Sequence, residues 1–175
     1  MKKLVGVFLV ACIISFVGCL NGSSSDSGAA VGTEKEIVRG FYNKSLTVNQ
    51  GDTEVSVRNA MDELFTSDFQ SISSNGVTPA TDISNKQGMI DGVIGLRASV
   101  PDLKWEIIDL RQSGNRVIAR SRATGTTKGE FLGLSLPIAK PFDIMTIDIH
   151  TVENEKIKTV YHVEEWSIAI QQLTN

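Results

Sequence analysis

The chain has 175 residues, with 17 Lys and Arg against 20 Asp and Glu, a formal net charge of −3 and a mean hydropathy of +0.00. That length suits one domain with a core of its own, and 21% charged with 41% hydrophobic residues excludes wholesale disorder. The slightly acidic balance lacks the basic footprint of a nucleic-acid binder, and 2 Cys with 2 His leave little for a metal site of soft ligands, so neither a nucleic-acid partner nor a metal is expected.

Met1-Lys2-Lys3 is a short basic segment, and Leu4 to Val17 follows without a charged residue. This stretch is too short for a comfortable membrane span and has the build of a secretory signal. It ends in Phe16-Val17-Gly18-Cys19, which resembles the bacterial lipobox, where a small residue precedes a lipid-modified Cys; Leu9-Val10-Ala11-Cys12 is a competing site with a very short apolar run before it. Residues 1–18 are therefore expected to be a lipoprotein signal peptide, and 19–32 the lipidated Cys19 followed by a Gly/Ser tether. Such a tether reaches on the order of 20 Å. Loss of Lys2 and Lys3 with the signal moves the net charge from −3 to −5, and no thiol remains for a disulfide, a metal or a nucleophile. The expected location is the bacterial cell envelope, anchored to the membrane by lipid. Leu20, which is not the Asp of an inner-membrane retention signal, points to the outer membrane facing the periplasm in a Gram-negative host. In other envelopes the cell surface is expected.

Residues 33–175 read as one domain. Thr33-Glu34-Lys35-Glu36 has a capping-box pattern, and Ile37, Val38, Phe41, Tyr42 and Leu46 recur at helical spacing, so the pattern predicts a helix over 34–48 that Gly51-Asp52 breaks. A second helix is expected at 54–64, an extended segment at 65–72, a polar loop at 71–84 and a third helix at 86–98, weakened by Gly88, Gly92 and Gly95. After Pro101 the period changes from 3.6 to 2, predicting strands at 103–112, 115–126, 141–152 and 156–165, with a longer loop from Gly129 to Lys140 and a short final helix at 167–173. Helices first and strands after them argue an α+β fold, with the N-terminal helices packed on one face of a strongly curved antiparallel sheet.

The run Gly125-Thr126-Thr127-Lys128-Gly129-Glu130-Phe131-Leu132-Gly133-Leu134 resembles the Gly-Thr-His-x-Gly-x-x-x-Gly segment of SnoaL-like polyketide and ester cyclases. Ile147-Asp148-Ile149-His150, the turn Glu153-Asn154-Glu155-Lys156-Ile157, Tyr161-His162-Val163-Glu164-Glu165-Trp166 and the closing Gln171-Gln172-Leu173 are similar to that family's last strands and tail. The resemblance implies a cone of the cystatin or nuclear-transport-factor type, often a homodimer, with a pocket between helices and concave sheet that takes a small apolar substrate. It also implies ring closure by a His–Asp acid–base pair without a cofactor, although the same cone serves elsewhere as a non-catalytic small-molecule- or protein-binding module. Here the pair is exchanged: Asp148 stands at the family's His and His162 at its Asp, while Thr127 replaces a common His and Glu165 a usual Asp.

His162, Asp148 and Glu165 are thus the candidate catalytic residues, and His150, Tyr161, Trp105 and Tyr42 the pocket set. Whether Asp148 meets His162 depends on the hairpin. A two-residue turn pairing Glu153 with Lys156 puts Asp148 on the face of Tyr161, whereas a three-residue turn pairing Val152 with Lys156 gathers Asp148, His150, Val160, His162 and Glu164 on one face. The three-residue turn is expected, with Glu155 in the left-handed region at a cost of about 1–2 kcal/mol. On a shared face Asp148 would orient the imidazole, which would move protons near neutral pH; the alternative is an Asp–His hydrogen bond that only satisfies the sheet interior. Met145, Ile147, Ile149, Tyr161 and Val163 form the opposite apolar face, which a second copy would cover.

Overall fold

The computed structural model describes residues 33–73 and 82–175; the expected signal, Cys19 and tether lie outside the described residues. Helix α1 (Thr33–Phe41) does not run on to 48 as one regular helix: it widens into a π-helical turn over Tyr42–Leu46 and stops at Thr47, whose backbone is extended. Such turns recur at functional sites because they re-aim side chains, and this one buries Tyr42, Ser45 and Leu46 together. Arg97 holds its end by donating to the carbonyls of Ser45 at 2.8 Å and Thr47 at 2.5 Å and pairing with Asp52, which satisfies acceptors that a helix end leaves free.

Helix α2 (Glu54–Leu64) begins with a reciprocal cap, in which Thr53 Oγ1 accepts from the Ser56 N–H at 3.0 Å and Ser56 Oγ from the Thr53 N–H at 2.9 Å. Strands β1 (Phe65–Ser73) and β2 (Asp82–Asn85) form a hairpin, and helix α3 (Lys86–Ser99) follows, capped by Asn85. Strands β3 (Lys104–Ser113), β4 (Arg116–Phe131), β5 (Leu134–Glu153) and β6 (Lys156–Glu164) then run antiparallel, and helix α4 (Trp166–Thr174) closes the chain. The sheet order is β2-β1-β6-β5-β4-β3.

The α+β architecture is the expected one, with three corrections. The sheet is mixed, because β1 returns from the helices to pair parallel with β6. Strand β2 occupies the end of the segment expected as a loop. The expected loop at 129–140 is instead the tip of one long hairpin, with Phe131 paired to Leu134. Leu132 and Gly133, at φ 51° and 74°, make the two-residue turn, and Pro137 falls in the irregular stretch beside the bulge between Thr127 and Gly129, so it interrupts no regular pair.

The β5–β6 turn combines features of both alternatives. It has two central residues, Asn154 and Glu155 at φ 50° and 60°, and pairs Glu153 with Lys156. A bulge then inserts Lys158, because Val152 pairs with Ile157 but Thr151 with Thr159. That one extra residue reverses parity, so the expected common face is correct although the expected three-residue turn is not. Asp148 pairs directly with His162, Thr146 with Glu164 and His150 with Val160.

The helices cover one face of the sheet, where Val117, Ala119 and Ala123 of β4 and Phe142, Ile144 and Val152 of β5 join Val38, Phe41, Met61, Phe65 and Phe69 in one core. The opposite face stays apolar and open, with Ile118, Met145, Ile147, Tyr161 and Val163 each at least 40% exposed.

Candidate functional site

Strand parity brings three polar side chains inward from the ends of β5 and β6. Asp148 is 5% exposed, and His162 and Glu164 are half-buried beside it. A donor atom from each of the three lies within 4.8 Å of the others. His162 Nδ1 meets Glu164 Oε1 at 2.8 Å, and Nε2 meets the hydroxyl of Ser71 at 3.0 Å. A carboxylate only accepts, so Nδ1 of a neutral ring carries the hydrogen and Nε2 keeps the lone pair that accepts from Ser71. The two carboxylates and the imidazole form a donor set able to converge on a divalent cation, which would displace a partner already held by a ring nitrogen of His162.

Behind this row lies a second, wholly buried group. The π-helical turn aims the Tyr42 hydroxyl at Asp148, to which it donates a short hydrogen bond, and Tyr42 also lies 3.4 Å from His150 Nε2. Burial, with help from the charge of Glu164, pushes the Asp148 carboxyl up to about 7, against the opposing pull of the Tyr42 hydrogen bond and His162. Burial lowers His150 to about 3, with His162 adding in the same direction. Burial, then the Asp148 charge, raises the Tyr42 phenol well above its ordinary value. His150 therefore stays neutral, and its Nδ1 finds no hydrogen-bond partner among the described residues.

A cleft of about 340 Å³ opens in front of His162. His162, Glu164 and Ser71 form its polar wall, and Leu46, Met89, Val93, Leu96, Trp105 and Trp166 much of its apolar one. Trp105 is fixed there by its indole N–H, which donates to Ser121 Oγ at 3.0 Å and Thr146 Oγ1 at 3.1 Å.

The candidates from the sequence separate accordingly. His162 and Trp105 line the cleft. Asp148, Tyr42 and His150 are brought together one layer behind it, Tyr42 and His150 fully buried. Tyr161 does not join them, because its parity sends it to the outer face, where it is 43% exposed. Glu165 lies outside the cleft wall, and its carboxylate accepts the Met145 N–H at 3.1 Å, tying β5 to the start of α4. Ser71 and Glu164 take positions against His162 that the sequence reading did not assign. Ser71 fell at the edge of the expected loop, and its contact needs the parallel β1–β6 pairing, which has no local sequence signal. Glu164 was legible only as a member of the same strand face.

Comparison with curated proteins returns no match. Among solved structures, one described as a SnoaL-like polyketide cyclase from Jannaschia sp. CCS1 superposes with a TM-score of 0.68 at 17% identity, over 81% of this chain and 92% of that one. IdmH from Streptomyces antibioticus, described as a polyketide cyclase, gives 0.67 at 21% identity, over 81% and 99%. A protein of ketosteroid isomerase-like fold from Catenulispora acidiphila gives 0.59 at 15%, over 79% and 92%. These likenesses carry the fold. The sequence itself matches the SnoaL-like polyketide cyclase family over residues 36–173, from within α1 to within α4, and on that match the chain belongs to this family.

Proposed function

We propose that the protein is a lipid-anchored, cofactor-independent enzyme that moves a proton next to the carbonyl of a small, largely apolar compound, as a cyclase or isomerase does. The observation that supports this most is His162 on the wall of the apolar cleft, with Glu164 holding Nδ1 and Asp148 directly opposite. Glu164 keeps the ring in the tautomer whose Nε2 is a base. That nitrogen takes the proton alpha to the carbonyl, and the enolate either recovers it at another carbon or adds to a second carbonyl, whose alkoxide then takes the proton from Nε2. An ionised Asp148 favours the imidazolium formed in the step, and its elevation to about 7 makes that help strongest above neutral pH.

The anchor at Cys19, the envelope location and a homodimer through the outer face of Met145, Ile147 and Val163 complete the proposal. They rest on the N-terminal sequence and on that face being exposed. The deciding experiment incubates the protein with a panel of small β-keto esters and apolar ketones in D₂O and follows deuterium uptake by mass spectrometry. Exchange that His162→Gln abolishes is the expected result. Binding of panel members without exchange by the wild type would make the domain a binding module instead.

A further inference from the structure

We propose that Ser71, His162 and Glu164 form a nucleophile–base–acid relay, which gives the site a second activity: acyl transfer from a small apolar ester through an acyl-serine. The relay shares His162 with the proton-transfer function but rests on Ser71, which that function does not use.

The arrangement follows from three strand positions. In the parallel pair β1–β6, Ser71 is level with Val160. His162 lies two residues further along the same face and Glu164 two beyond that. The Ser71 hydroxyl meets Nε2 at 3.0 Å, and Glu164 meets Nδ1 at 2.8 Å. These are the two contacts a serine nucleophile needs, on the two nitrogens that need them. Ser71 is 3% exposed, yet it lines the cleft, so what water reaches it comes through the pocket that would hold the ester. Two more hydroxyls stand on the same wall. Ser84 is directly across β2 from Ser71, and Ser73 is two residues along β1. Ser73, and Ser84 if its hydroxyl turns from the Asn85 carbonyl to which it donates at 3.5 Å, would be the donors to a developing oxyanion. The acyl chain would lie against Met89, Val93 and Leu96 of α3.

In the step, His162 Nε2 takes the Ser71 proton as Oγ bonds to the ester carbonyl carbon. The tetrahedral oxyanion then collapses, the bond to the leaving alkoxide breaks, and that oxygen takes the proton from His162. Water, deprotonated by the same nitrogen, bonds to the acyl carbon; the bond from that carbon to Ser71 Oγ then breaks, Oγ takes the proton back from Nε2, and the acid leaves.

The test exposes the wild-type protein to a small alkyl fluorophosphonate, whose phosphorus bonds to a nucleophilic Oγ as fluoride leaves. Peptide mass spectrometry locates the adduct. One adduct is expected on the peptide carrying Ser71. It should be absent in Ser71→Ala and form about tenfold or more slowly in Glu164→Gln, and p-nitrophenyl butyrate should release a stoichiometric burst of nitrophenolate. No adduct on the wild type after saturating exposure, or an adduct that survives in Ser71→Ala with an unchanged circular-dichroism spectrum, would overturn the relay. The wild-type measurement depends on no variant folding. An adduct without deuterium exchange would sink only the proton-transfer function, and exchange without an adduct only the relay.

Discussion

Asp148 and His162 face each other across β5 and β6 because of one residue, Lys158, which bulges out of β6. Continued unbroken, the turn register that pairs Glu153 with Lys156 and Val152 with Ile157 would set Tyr161 opposite Asp148. The bulge advances the ladder by one and sets His162 there instead. The price of the tight turn before it is paid at Glu155, which holds φ 60° behind Asn154 at φ 50°. A side chain in that region costs about 1–2 kcal/mol, and Asn-Gly is the preferred pair for such a turn. Glu155→Gly should therefore stabilise the protein by about 1 kcal/mol, seen as a higher midpoint in urea with an unchanged slope, and leave the Asp148–His162 pairing intact. A lower midpoint would mean that the turn is not held in this conformation.

The pH dependence of stability should show two buried groups working against each other. His150 drops from 6.5 to about 3 on folding, so the unfolded chain binds the extra proton between those values and His150 makes stability fall as pH falls below 6.5. Asp148 rises from 3.8 to about 7, so the folded chain binds the extra proton and stability falls as pH rises from about 4 to 7. Each slope approaches about 1.4 kcal/mol per pH unit for one proton. Between about pH 4 and 6.5 they largely cancel. Chemical denaturation across this range should be nearly flat for the wild type. Asp148→Asn should leave stability rising with pH up to about 6.5, and His150→Phe should leave it falling toward pH 7. Parallel profiles for all three proteins would refute the assignment.

What the sequence could and could not reveal follows from the range of the interactions. Helices α2 and α3 and strands β3 and β6 were readable because period is a local property, whereas the face shared by Asp148 and His162 was expected through a three-residue turn and is in fact made by the bulge at Lys158, which has no local sequence signal. The π-helical turn was not readable, since Tyr42 and Leu46 fit a regular helix equally well, and the Asp148 that the Tyr42 hydroxyl meets lies 106 residues further along the chain. Nor was the parallel return of β1, which joins residues about ninety positions apart and so brings Ser71 to His162. The glycines of α3 weakened the helix by propensity alone, whereas in the fold Gly88 and Gly92 line the cleft.

Glu164 should act on turnover through the tautomer of His162. Glu164→Gln keeps the shape but offers Nδ1 an amide in place of an obligate acceptor, so the ring can turn its hydrogen to Nε2. Deuterium exchange should fall about a hundredfold or more in kcat, with KM changed by less than about twofold. A change confined to KM would make Glu164 a binding group only.

Lipid attachment separates the two candidate cysteines. Expressed in a bacterial host with an alkyne-tagged fatty acid, the full chain should carry the label and fractionate with membranes. Cys19→Ser should lose both properties, and Cys12→Ser should retain them. The opposite pattern would move the mature N-terminus to residue 12 and place Ile13 and Ile14 next to the lipid.

The floor of the cleft can be tested with the helix that forms it. A Cβ added at Gly92 meets no atom within 4 Å, and the residue lines the cavity. Replacing a helix-interior glycine gains about 0.5–1 kcal/mol in propensity, so Gly92→Leu should raise the melting temperature while its side chain fills part of the roughly 340 Å³ in front of His162. Gly95 has equally open surroundings but does not line the cleft, so Gly95→Ala should give the stability without touching activity. Gly88 is the counter-case: its Cβ would come within 2.3 Å of Ser84 Oγ and displace that hydroxyl. The expected outcome is a more stable Gly92→Leu protein whose deuterium exchange and fluorophosphonate labelling are both reduced. If both persist at wild-type rates in the stabilised variant, the substrate does not occupy this cleft, and the chemistry of His162 must be reached from another side.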